Sequence, residues 1–82
     1  MELTIKASVS QPMMTREAAR ISTKMSAFQS RVLIRKKDMT VNAKSLMGLM
    51  SLEVADGESL TLLAEGPDEA EAVCMLSELL GA

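Results

Sequence analysis

Leu3, Ile5, Ala7 and Val9 alternate with Thr4, Lys6 and Ser8, the period of two that lays one face of a strand on a core. From Thr15 the period lengthens: Ala18, Ile21, Met25 and Phe28 recur at helical spacing, Arg16, Arg20 and Lys24 form a basic stripe, and Thr15 is placed to cap the helix. Arg31 to Lys36 is β-branched and leucine-rich, Lys37-Asp38 suits a turn, and Met39 to Asn42 returns as a strand, which predicts a hairpin. Leu46 to Leu52 follows as a short apolar helix behind Ser45, and Ala55-Asp-Gly-Glu58 marks a turn. Leu60, Leu62 and Ala64 then alternate with Thr61, Leu63 and Glu65 as a last strand, in which Leu63 departs from the polar side of the pattern. Gly66-Pro-Asp-Glu69 places a proline in a first helical turn, with acidic groups suited to the N-terminal dipole. Ala72, Val73, Leu76, Leu79 and Leu80 supply the apolar face of that final helix, and Gly81 stops it.

The order strand, helix, strand, strand, short helix, strand, helix predicts an α+β open-faced sandwich, a four-stranded antiparallel sheet with three helices on one face. Its 82 residues make one domain, 1–82, burying roughly 60 to 65% of the unfolded surface. No linker, repeat or low-complexity segment interrupts it. The chain is 48% hydrophobic but 1% aromatic, so the core must come from aliphatic side chains and some of the eight methionines, with the one ring, Phe28, buried.

Charge changes this picture little at the level of the sum, -2, and more in its distribution. Arg16 to Lys44 holds eight basic residues against two acidic ones, whereas Ser45 onward holds eight acidic residues and no basic one. That division suits either a solvated fold with oppositely charged elements or a surface for an acidic partner. Cys74 stands alone, which excludes an internal disulfide and fits a reducing cytoplasm. There is no histidine, no cluster of metal ligands and no apolar run near the ~18 residues of a membrane span, so no metal, cofactor or membrane insertion is expected.

The segment Val41-Asn-Ala-Lys-Ser-Leu-Met-Gly-Leu-Met-Ser-Leu52 is the most informative in the chain. Ser45 stands where a hydroxyl satisfies a free backbone N–H at a helix start, and capping alone accounts for a serine there. A phosphate on the same oxygen would add about -1.5 to -2 charge beside a helix N-terminus, a location that accepts anions. Leu46, Met47, Leu49, Met50 and Leu52 are too many apolar residues for one helical face. Leu49 and Leu52 are expected in the core, Met47 and Met50 on an adaptable exposed patch, and Gly48 lets a neighbour approach closely.

These residues resemble the regulatory segment of the HPr family, the small phosphocarriers of the bacterial sugar phosphotransferase system. The likeness extends to the element order, the Ala64-Glu-Gly66 exit from the last strand and the acidic, alanine-containing last helix. It implies that Ser45 matches the target of the HPr kinase/phosphorylase, and that Leu46, Met47 and Met50, with Arg16 and Arg20, meet partner proteins. The family's phosphoacceptor histidine falls on Met14, its preceding glycine on Pro12 and the proline of the first helix on Glu17, while Arg16 matches the flanking arginine. A thioether has no exchangeable proton and forms no durable phosphoryl ester, and phosphate esters of the nearby Ser10 and Thr15 hydroxyls would be too stable to recharge a transporter. The expectation is a cytoplasmic regulatory module for carbon catabolite control, like the branch of the family that lacks the histidine. Its partners would be a transcription factor of the CcpA type or phosphotransferase-system proteins.

Two other readings start from the same residues. A phosphocarrier whose histidine was substituted at Met14 would regain phosphoryl uptake when histidine is restored. An RNA-binding face along Arg31 to Lys37 would stack bases on aromatic side chains, which the composition lacks, so no direct nucleic-acid partner is expected. An unrelated enzyme has no support, with neither histidine nor a glycine-rich phosphate loop present.

Overall fold

The computed structural model describes residues 1–9 and 14–81. Its elements are β1 (Glu2–Lys6), α1 (Thr15–Met25), β2 (Arg31–Lys36), β3 (Met39–Asn42), α2 (Leu46–Leu52), β4 (Ser59–Glu65) and α3 (Glu69–Leu79). The strands lie in the order β1-β4-β2-β3, and every neighbouring pair is antiparallel. Only β2 and β3 are neighbours both in sequence and in the sheet, joined through Lys37 and Asp38 with Lys37 at a φ of 57°.

Register divides the sheet into two faces. Val32 stands opposite Ala64 and Ile34 opposite Leu62, and these four are at most 1% exposed. The helices meet them with Ala18, Ile21 and Met25 from α1, Leu49 and Leu52 from α2, and Ala72, Val73 and Leu76 from α3. All three helices therefore cover one face, as the periodicity predicts. The other face carries Arg31, Arg35, Thr61 and Glu65, with Leu33 directly opposite Leu63. That cross-strand pair explains the leucine that broke the pattern of β4: each half-buries the other on an otherwise polar surface.

Four local expectations need correction. Leu3 is 40% exposed and Ile5 only half-buried, because β1 is an edge strand beyond the reach of full helix cover, and Val9 lies past its end. Thr15 does not cap α1: Met14 occupies the cap position without a side-chain bond, and Thr15 is already helical. Phe28 follows the end of α1 and is half-buried, packed against the core from a turn. The last helix begins two residues beyond Pro67, with Asp68 at its cap position.

Asp68 does not cap α3 because its carboxylate is committed elsewhere. It accepts the backbone N–H groups of Gln29 and Ser30, each at 2.9 Å, together with the Ser30 hydroxyl. In return the backbone N–H of Asp68 donates to Ser30 Oγ at 3.2 Å. The Ser30 hydroxyl, followed by the Gln29 N–H, holds the Asp68 carboxyl below its ordinary pKa. This latch joins the entrance of β2 to the start of α3. Gly66 makes the approach possible, since at its φ of 148° a Cβ would fall 2.7 Å from Ser30 Cα.

Candidate modification and docking site

Local hydrogen bonding aims the Ser45 segment. Asn42 at the end of β3 folds back, its Oδ1 accepting the N–H of Lys44 at 2.8 Å and its carbonyl the N–H of Ser45 at 3.0 Å. Between them Ala43 is buried, anchored through its N–H to the Val32 carbonyl at 2.9 Å. Ser45 emerges extended, at φ -99° and ψ 116°, and its Oγ accepts the Gly48 N–H at 3.1 Å. The predicted cap is therefore present, on a residue that is partly exposed.

The first turn of α2 holds no acidic residue. The Lys44 ammonium is turned away, donating to the Phe28 carbonyl at 2.8 Å. Gly48 stands where a Cβ would lie 3.3 Å from both Ser45 Oγ and Val41 Cβ, so its lack of a side chain keeps the helix start close to β3. Glu53 ends α2 in the left-handed region at φ 49°, and its carbonyl accepts the Lys36 ammonium at 3.1 Å.

With seven residues, α2 has one inward face. Leu49 and Leu52 fill it, being 0% and 1% exposed, and Leu46 is half-buried against the same core. Met47 is 73% exposed and Met50 36%. The structure thus separates the apolar residues of α2 into core and surface as their number required, and it moves Leu46 toward the core side.

Met14 sits beside this patch. It is 61% exposed at an extended φ of -111°, and its carbonyl starts α1 by accepting the Ala18 N–H at 3.0 Å. The next residue reaches α2 directly: the Thr15 hydroxyl donates to Met50 Sδ at 3.8 Å. Reading Thr15 as a cap missed this contact, which depends on α1 packing beside α2 and leaves no mark in local sequence. Arg16 and Arg20 are exposed, border a shallow concavity with Glu17, and have no ion-pair partner among the described residues. Ser10 and Pro12 lie outside the described residues.

The arrangement places a capping hydroxyl at a helix start, exposed methionines on the same short helix and, at the start of α1, two guanidinium groups without an ion-pair partner among the described residues. No helix among the described residues is long and apolar enough to cross a membrane. The family model described as "PTS HPr component phosphorylation site" matches residues 2–82. The HPr-like protein Crh of Halalkalibacterium halodurans is 47% identical over 58 residues, 71% of this chain and 69% of that protein. The phosphocarrier protein HPr of Neisseria meningitidis is 47% identical over 55 residues, 67% of this chain and 62% of its own length. In three dimensions the crystal structure of HPr from Bacillus anthracis superposes with a TM-score of 0.92 at 32% identity, covering 98% of this chain and 95% of that one. By fold, by the Ser45 segment and by these matches, the chain belongs to the HPr family of the phosphotransferase system, in a form without any histidine.

Proposed function

We propose that this chain is a regulatory binding module of the HPr family, controlled by phosphorylation of Ser45 and without histidine phosphotransfer. The observation that carries the reading is Ser45 itself: partly exposed at a helix start, without acidic neighbours in the first turn and two positions from the 73%-exposed Met47. A kinase can reach that oxygen, and a dianionic phosphate there meets backbone amides at the start of α2. The new charge borders the apolar patch of Met47 and Met50, so it alters which partner can desolvate that patch. A transcription factor of the CcpA type is the partner that the likeness to Crh suggests, with Arg16 and Arg20 offering bidentate contacts to its carboxylates. The HPr kinase/phosphorylase would set and remove the mark. Met14 at the carrier position provides no atom that can accept and pass on phosphate.

Incubation with HPr kinase and ATP, followed by mass spectrometry and binding to CcpA, tests the reading. One phosphate on Ser45, absent from Ser45→Ala, with altered CcpA affinity, is the expected result. An unmodified Ser45, or equal affinity of the two forms, refutes it. The second reading, a carrier that lost its histidine, draws on the similarity to phosphocarrier HPr proteins. Strong phosphoryl uptake by Met14→His from the upstream phosphotransferase would favour it.

A further inference from the structure

The methionines of this chain are sorted by exposure in a way that core packing does not require. Met25 is 0% exposed, whereas Met47, at 73%, and Met14, at 61%, exceed every other methionine among the described residues. Both border one surface, since Met14 precedes the threonine whose hydroxyl reaches Met50 Sδ from α1 to α2. Two of the most accessible thioethers thus flank the start of α1 and the turn that carries Ser45.

We infer that Met14 and Met47 form an oxidation site through which peroxide disables the docking face. In the reaction the thioether sulfur attacks one oxygen of hydrogen peroxide, the O–O bond breaks, an S–O bond forms and water leaves. Sulfur loses two electrons and the peroxide gains them. The product side chain is polar and chiral where an apolar, flexible one stood. A partner that covers the patch must then strip water from a sulfoxide oxygen without an acceptor-matched donor, which lowers affinity on the order of tenfold. The fold stays intact, because neither side chain fills the core. The site needs no enzyme and no change at Ser45, so it acts independently of phosphorylation while resting on the docking role proposed above.

The test treats the purified full chain, unmodified and phosphorylated at Ser45, with graded hydrogen peroxide, maps sulfoxides by peptide mass spectrometry and measures binding to CcpA before and after, in whichever form binds. Expected are sulfoxides first at Met47 and Met14 with Met25 protected, a circular dichroism spectrum unchanged, and affinity reduced about tenfold. Methionine sulfoxide reductase restores it, and whatever affinity Met14→Leu/Met47→Leu has before the treatment is the same after it. Oxidation that leaves binding untouched, or a double variant that loses binding as the parent does, overturns the inference alone. Failure of the unoxidised chain to bind CcpA, whether or not Ser45 is phosphorylated, instead overturns the docking role, and the inference falls with it.

Discussion

Ser30 and Ser45 both place a hydroxyl at the start of a helix, and both accept a backbone N–H there, from Asp68 at 3.2 Å and from Gly48 at 3.1 Å. Ser30 is 1% exposed and also donates to the Asp68 carboxylate, so its capacity is used inside the protein. Ser45 is half-exposed, its oxygen receives one bond, and the ammonium of the neighbouring Lys44 is occupied by the Phe28 carbonyl. One serine ties two elements together; the other caps one helix and remains partly exposed. The difference does not reside in the residue type or in the cap. It comes from whether a second element closes over the hydroxyl, as α3 does over Ser30 and nothing among the described residues does over Ser45.

Breaking the closed side should cost most. Gly66→Ala forces a Cβ against Ser30 at a positive φ and is expected to destabilise by about 3 kcal/mol, read as a fall in the urea midpoint. Ser30→Ala empties the latch without a clash and should cost about 1.5 kcal/mol in the same measurement. That loss carries a pH signature. The Asp68 pKa in the folded protein lies below its ordinary value of 3.8, so the latch stabilises fully above that pH and fades as pH falls through the depressed value. Ser30→Ala removes the largest cause of the depression, and the gap between variant and parent should therefore narrow in acid. Equal gaps at neutral and acid pH would mean that Asp68 is not what the Ser30 hydroxyl serves.

The open side should yield smaller changes in stability. Ser45→Ala leaves the Gly48 N–H to water and is expected to cost about 1 kcal/mol, by thermal or urea unfolding. Met47→Ala should fall within about 0.5 kcal/mol of the parent, since the side chain leaves no cavity. If Met47→Ala destabilised as much as Ser30→Ala, the patch would be core and the contrast would collapse.

Local periodicity already carried most of the architecture. The alternation in β4 announced its inward face, Leu60, Leu62 and Ala64, and the excess of apolar residues after Ser45 announced that some of α2 must be exposed. The Ser45 cap was readable for the same reason: a capping serine before a short helix is a local signal, and its hydrogen bond spans three residues. Thr15 misled because a threonine before a helix satisfies the capping pattern whether or not its hydroxyl finds a distant sulfur. Asp68 looked like a dipole-favouring residue of α3, while its carboxylate reaches back 38 and 39 positions to Ser30 and Gln29.

By itself the sequence determined element types, the inward faces of β4 and the helices, the absence of histidine and the place of the capping serine before α2, because each depends on residue types and side chains a few positions apart. The tertiary structure alone decided that β4 enters between β1 and β2, that β1 is left as a half-covered edge, and that α1 brings Met14 beside the patch of α2. Those choices follow from which apolar faces can be buried together at once, a property of the whole chain that no short window contains.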